Sequence, residues 1–385
     1  MSAQTPKAAS LERARALLAR VPLVDGHNDM PYVVRNDRTA KGDIAAFALE
    51  RPHQGYDTDI PRMKAGQVGA QFWAAFCPSN QKDPTRFTLE LIQIVRAMNA
   101  RHPDVFLPAL KASDIARARR QGKIASFIAV ESGIGIGDRL EMLDVFHALG
   151  ARYMTLCHNE TLDWVDSATD APRHDGITDF GRSVVRRMNA LGLLVDMSHT
   201  TSKAMHDVLD TSVAPVAITH ANARALCDHP RNATDDVLVR LKANGGIVMA
   251  TFVPAFINQA VRDWFKPLQR HSKAPLDEDI APKIDAKARA AGPPPRATLT
   301  EFCAHVEHLA DKAGIDHVGI GSDFYGGPTP DGLEDVSKFP NVIAALMDRG
   351  WGDPALAKLA GRNFVRVLRG VEKAAKMLKD DAASG

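Results

Sequence analysis

Val24-Asp25-Gly26-His27-Asn28-Asp29 reads as the end of a short apolar strand, Val21 to Val24, and the turn after it, which carries His27 and Asp29. Side chains alternate along a strand, so residues two apart point the same way. His27 and Asp29 therefore converge on one point. An imidazole and a carboxylate at a strand end suit a borderline divalent cation such as zinc. The pair alone is a weak signal, because His-x-Asp also occurs on ordinary polar turns. Its meaning depends on what the rest of the chain delivers to the same place.

Seven further apolar runs of strand length follow: Gly69–Phe76, Ile124–Val130, Tyr153–Cys157, Leu193–Met197, Val213–Thr219, Gly246–Phe252 and His317–Ser322. Helical patterns separate most of them. They cover Ile60–Ala65, Thr85–Arg101, Ser113 to Gly122, Arg139–Leu149, Thr178–Leu191, Ser202–Leu209 and Thr234–Ala243. Thr298 and Glu301 form a capping-box signature for a later helix ending near Gly314. Continuous apolar strands alternating with helices imply a parallel sheet covered on both faces. Eight of them predict an α/β fold, a distorted (β/α)8 TIM-like barrel.

The domain expectation is a single metallohydrolase barrel over residues 1–385. An N-terminal helical extension fills 1–20, and residues Arg35 to Asp59 read as a long loop. A long insertion, 254–296, separates the seventh and eighth barrel strands, and the charged tail 377–385 reads as frayed. The 48 Lys and Arg nearly balance the 46 Asp and Glu, for a net charge of +2, which argues against nucleic acid as a partner. Cys77, Cys157, Cys227 and Cys303 are widely spaced and read as reduced, buried thiols. Residues 1–10 lack an apolar signal core, and no apolar run reaches membrane-spanning length. The expectation is a soluble chain of the cytoplasm, with an exported form whose signal has been removed left open. A homodimer is a further open expectation.

In such barrels chemistry sits at the carboxyl ends of the strands. Here six of the eight strands end in His, Asp or Glu. His27, Asp29, Glu131, His199 and His220 make five candidate metal ligands. A single catalytic zinc usually takes three protein ligands and keeps a position for water. Five suit two metals with Glu131 as the bridge: one on His27, Asp29 and Glu131, the other on Glu131, His199 and His220. Two cations about 3.5–4 Å apart hold a water or hydroxide between them and polarise a carbonyl. His158 is placed to stabilise the oxyanion. Asp323 is placed to shuttle a proton to the leaving amine. Arg231 suits bidentate capture of a substrate carboxylate, although an ordinary loop pairing with Asp235 or Asp236 is the simpler expectation for it. Asp196 reads as a residue that orients a ligand or pairs structurally. Gly133-Ile134-Gly135-Ile136-Gly137 does not match a dinucleotide fingerprint.

Several co-linear motifs carry a resemblance. They are Val24 to Asp29, Val130-Glu131-Ser132-Gly133, Met154 to Asn159 with Trp164-Val165-Asp166-Ser167, Leu194 to His199, Thr219 to Arg224 with His229-Pro230-Arg231-Asn232, and Gly319 to Phe324. Together they resemble the membrane (renal) dipeptidase family of zinc peptidases, in order from Val21 to about Val371. The resemblance implies a distorted barrel of the amidohydrolase-like group and a binuclear zinc centre. It implies hydrolysis of dipeptides with free amino and carboxyl ends, the second residue being of L or D configuration, and in some members opening of a penem β-lactam. Carried over by position, the family's metal ligands fall on His27, Asp29, Glu131, His199 and His220. Its oxyanion histidine falls on His158, its carboxylate-binding arginine on Arg231 and its acid/base aspartate on Asp323. The segment Pro254 to Arg296 matches less clearly, and the signal and lipid anchor of the animal enzymes have no counterpart here. Other amidohydrolase-type activities (an N-acyl amino acid deacylase, a lactonase, a β-lactam hydrolase) and an inactive binding barrel are the alternatives. Many of the former bridge their metals with a carbamylated lysine on strand four, where this chain has His158.

Overall fold

The structure is a computed structural model describing residues 6–52, 55–268, 286, 288–290 and 292–384. Among the described residues, nine strands form one parallel sheet. They are β1 (Leu23–Asn28), β2 (Val68–Phe76), β3 (Phe106–Pro108), β4 (Ile124–Glu131), β5 (Ala151–Thr155), β6 (Leu194–Asp196), β7 (Ala217–Ile218), β8 (Ile247–Ala250) and β9 (Val318–Ile320). Their order is β2-β1-β9-β8-β7-β6-β5-β4-β3, and a further β2–β4 pairing closes eight of them into a barrel. That seam runs from Ala70↔Ala125 to Phe76↔Glu131. The predicted (β/α)8 barrel is therefore the observed fold.

The differences are local. β3 was not expected; it pairs only with the start of β4, as Phe106↔Ile124 to Pro108↔Ser126. Three residues carry no legible period. β1 continues through Asn28, so His27 lies in the strand and not on the turn after it. β7 shrinks to two residues, because Pro215 cannot donate to a ladder. The expected loop from Arg35 to Asp59 holds the end of helix Met30–Asn36 and the short helix Ile44–Phe47. At its far end Asp59 caps helix Ile60–Ala65 by accepting from Arg62 N. The insertion begins with helices Pro254–Ile257 and Gln259–Phe265, and much of its remainder lies outside the described residues. The terminal helix is described to Ser384, where fraying was expected after Lys376. Among the described residues no helix is long and apolar enough to cross a membrane. All four cysteines are free and buried.

One face of each strand fills the barrel and the other meets the helices. Inside, Phe127 stacks on Phe72 with ring centroids 4.4 Å apart, and Phe72 stacks on Tyr153 at 5.5 Å. Phe364, from helix Asn363–Ser384, plugs the column from below at 4.9 Å from Phe72. Just before that helix, Gly361 approaches β1 so closely that a Cβ there would meet Pro22 O at 2.4 Å. Phe127, Ala129 and Glu131 share one face of β4, so the strand that buries Phe127 in the barrel raises Glu131 at its mouth.

A buried carboxylate ties the first strand to the last. Asp25 accepts from Ser322 N and Ser322 Oγ, both at 2.7 Å, and from Gln71 Nε2 at 2.8 Å. Burial pushes its pKa up to about 6 despite these bonds. Asp25→Ala would leave the Ser322 N–H buried without a partner and the Gln71 amide with only Phe72 O, at 3.2 Å, at a cost of roughly 2 kcal/mol. A fall in the denaturant midpoint is expected; an unchanged midpoint would count against this clamp.

Candidate metal centre and active site

The eight residues singled out in the sequence meet at the carboxyl end of the barrel. Asp29, Glu131, His158, His199, Arg231 and Asp323 line one cleft with Tyr32, Phe76, Asn159, Phe256, Tyr325 and Gly326. His27 and His220 sit beneath it, their rings 3.9 Å apart. Larger clefts lie elsewhere, one of them against the terminal helix around Phe127, Leu368 and Lys376. They lack its cluster of buried imidazoles and carboxylates, so chemistry decides for the smaller cleft.

Glu131 is the centre. Its Oε2 lies 3.2 Å from His27 Nε2, and its Oε1 lies 3.1 Å from His199 Nε2 and 3.5 Å from His220 Nε2. Asp29 Oδ1 is 3.6 Å from His27 Nε2. His158 Nε2 stands further off, 4.0 Å from Glu131 Oε1. Among the described residues, three overlapping triads have donor atoms within metal-holding reach: His27, Glu131 and His220; Glu131, His158 and His199; and His27, Asp29 and Asp323. These triads cut across the expected partition, and they admit His158 and Asp323 as ligands on distance alone.

Local structure sets each donor. Asp29 N donates to Phe324 O at 3.1 Å, and Asn28 Nδ2 donates to Thr58 Oγ1 at 2.9 Å, fixing the exit of β1. His199 and Asp323 both have left-handed backbone, at φ 70° and 61°. That conformation is costly for non-glycine residues and is retained where the surroundings impose it, often at functional sites. Gly326 makes room for Asp323: a Cβ there would meet its Oδ1 at 2.3 Å.

The electrostatics divide the histidines. Burial, with Arg231 and the neighbouring imidazoles, holds His199 well below the ordinary histidine value. Burial, with His27 and Arg231, does the same to His220. Burial and Arg231 lower His158 to about 3. These rings are neutral and offer lone pairs. Burial also opposes charge on His27, yet Tyr153, Glu131 and Asp29 together raise it well above the ordinary value. A potential that favours a proton at that point favours a cation equally. His27 Nε2 and Asp29 Oδ1 are buried and have no hydrogen-bond partner among the described residues. Buried polar atoms are seldom left so. Imidazoles and carboxylates with unmet donor atoms fit a divalent metal of the zinc type.

Arg231 is almost fully buried, and its Nε and Nη1 lack partners among the described residues, while Nη2 donates to His220 O at 3.3 Å. The simpler pairing expected for it does not occur: Asp235 pairs with His308 and Asp236 with His206, each at 2.7 Å. Its guanidinium carbon lies 5.2 Å from the ring centroid of Phe256. Burial raises Asp323 well above the ordinary carboxylate value, although His27 opposes this.

Sequence inspection missed three residues here. Tyr153 Oη lies 2.7 Å from His27 Nδ1 and donates to Gly26 O at 3.0 Å. Phe256 and Tyr325 wall the cleft. Tyr153 had a signal, since it shares the strand that delivers His158. Phe256 had none, because it comes from the insertion.

Comparison with known proteins agrees with this geometry. The profile of the membrane dipeptidase family, peptidase family M19, matches residues 11–382. Dipeptidase tcpJ of Claviceps purpurea is 36% identical over 403 aligned positions, covering 96% of this chain and 87% of that protein. The crystal structure of the probable dipeptidase PvdM from Pseudomonas aeruginosa superposes with a TM-score of 0.80 at 27% identity, covering 95% of this chain and 99% of that one. A metallopeptidase from Rhodobacter sphaeroides, liganded with a phosphinate mimic of the dipeptide L-Ala-D-Ala, superposes with a TM-score of 0.72 at 25% identity, covering 91% of this chain and 99% of that one. The chain belongs to the membrane dipeptidase family and is a peptide-bond hydrolase of its metallopeptidase kind.

Proposed function

We propose that this chain is a binuclear zinc dipeptidase acting on small dipeptides with free ends. The observation that supports it most is the division of Glu131, whose two oxygens face different histidines: Oε2 toward His27 at 3.2 Å, Oε1 toward His199 at 3.1 Å. One zinc would be held by His27, Asp29 and Glu131, the other by Glu131, His199 and His220. When bound, the pair would supply Lewis acidity at the scissile carbonyl and lower the pKa of the attacking water.

The protein's own groups do the rest. Arg231, which lines the cleft and has two nitrogens without partners among the described residues, receives the substrate carboxylate. Phe256 beneath the guanidinium keeps water from that pair. His158 donates a hydrogen bond to the carbonyl oxygen as charge develops on it. Asp323 takes the proton of the attacking water and returns it to the leaving nitrogen. The cleft holds about 220 Å³. That is below the roughly 300–1,000 Å³ of drug-sized pockets and suits two small residues. The mimic bound by the Rhodobacter sphaeroides enzyme is of L,D configuration, which supports including D residues at the second position.

Elemental analysis should find about two zinc ions per chain, and chelation should abolish hydrolysis of L-Ala-L-Ala and L-Ala-D-Ala. Activity undiminished by a chelator that strips the metal would sink the mechanism. N-acetyl amino acids cleaved faster than any dipeptide would favour the deacylase alternative. Arg231→Gln should raise KM by about 10- to 100-fold, the worth of a charge-assisted hydrogen bond. A dipeptide amide should lose the same factor on the wild type and nothing more on the variant. Full additivity of the two changes would remove Arg231 from the substrate's carboxyl end.

A further inference from the structure

Asp196 ends β6 fully buried, and its two oxygens face different kinds of donor. Oδ1 accepts from the backbone N–H of Ser198 at 3.0 Å and of Thr219 at 2.9 Å, and from the Ser198 hydroxyl at 2.8 Å. Oδ2 accepts from two hydroxyls, Thr155 at 2.6 Å and Thr219 at 2.7 Å. A hydroxyl has one proton to donate. Thr219 gives it to Asp196, so at its 2.9 Å contact with His220 Nδ1 it accepts. His220 therefore carries its proton on Nδ1. Its Nε2 keeps a lone pair, which accepts from His199 Nε2 at 2.9 Å and lies 3.5 Å from Glu131 Oε1.

We propose that Asp196 is a positioning residue which, through the Thr219 hydroxyl, fixes His220 in the tautomer that can ligate a metal at Nε2. The inference rests on the two-zinc function proposed for this site. It assigns work to a carboxylate that touches neither substrate nor metal. Partners beyond the ligands commonly fix the tautomer of a metal-binding histidine.

The asymmetry of the donors makes the consequence of Asp196→Asn specific. The new amide nitrogen cannot take the Oδ1 position, where two backbone N–H groups point and cannot reverse. It takes the Oδ2 position. There its two hydrogens face the Thr155 and Thr219 oxygens, which become acceptors. Thr219 then turns its proton toward His220 Nδ1. The imidazole keeps one proton but carries it on Nε2, where it blocks ligation. No charge changes on the ring; only the tautomer does.

The test uses the full chain as wild type, Asp196→Asn, Thr219→Ser and Thr219→Val. Zinc content is measured by elemental analysis across buffered free-zinc concentrations. Ring nitrogen-15 shifts of His220 are measured in metal-depleted samples. Asp196→Asn and Thr219→Val should weaken one zinc by about 10- to 100-fold and leave the other unchanged. Thr219→Ser, which keeps the hydroxyl, should bind both as the wild type does. In Asp196→Asn the protonated ring nitrogen should change from Nδ1 to Nε2. Wild-type zinc affinities in Asp196→Asn, or an unchanged tautomer, would overturn the proposal. If Asp196→Asn does not fold, the contrast of Thr219→Val with Thr219→Ser decides, and equal zinc affinities in those two overturn it. A wild type that holds fewer than two zinc ions counts against the two-metal function alone, because the tautomer comparison needs no metal.

Discussion

Glu131→Gln is expected to lose at least one zinc and to lower kcat/KM by about 10³-fold or more, corresponding to several kcal/mol of metal-derived transition-state stabilisation. The side chain keeps its size, so packing against the β4–β2 seam is preserved. What changes is charge and symmetry. Oε1 and Oε2 now each face at least one imidazole nitrogen, at 3.1 to 3.5 Å. An amide offers one acceptor oxygen and one donor nitrogen. Whichever way it turns, one set of histidines meets an N–H and loses its anionic partner. Zinc content and steady-state kinetics on L-Ala-L-Ala check this. Two zinc ions and near wild-type turnover in the variant would remove Glu131 from the bridging role.

Asp323→Asn is expected to lower kcat by roughly 10²- to 10⁴-fold, the usual range for a lost acid/base group. Zinc content should be unchanged and KM should move little. The prediction separates two readings that distance leaves open, because Asp323 also lies within metal-holding reach of His27 and Asp29. The left-handed backbone at φ 61° aims the carboxyl over the cleft, and burial raises its pKa well above the ordinary value. Both suit a group that carries a proton between reactants. If the variant loses zinc together with activity, Asp323 is a ligand and the proton shuttle lies elsewhere.

Much of this arrangement was legible because parallel barrels obey a positional rule. The strand patterns ending at Glu131, His158, His199, His220 and Asp323 needed no knowledge of contacts; each residue simply follows an apolar run. The illegible parts depend on partners distant in sequence. Tyr153 and Thr219 looked like ordinary strand residues, and their importance comes from one hydrogen bond each, to His27 and His220. β3 is held by its register with Ile124–Ser126, which no local pattern reveals. Phe256 reaches Arg231 from a segment whose composition suggested only an insertion. The partition of ligands proposed for two zinc ions is also absent from sequence, since it depends on which oxygen of one carboxylate faces which ring.

The aromatic column inside the barrel links the two ends of the molecule mechanically. Phe364 bears on Phe72, Phe72 stacks on Tyr153, and the Tyr153 hydroxyl holds the ring of His27. The terminal helix is thus the foundation on which a proposed metal ligand stands, although it lies at the opposite end of the barrel from the cleft. Loops around the mouth can be exchanged to admit new substrates without disturbing that support. Replacing Phe364 by a small residue, by contrast, would remove the footing of His27 and be felt first as a loss of rigidity at the catalytic end.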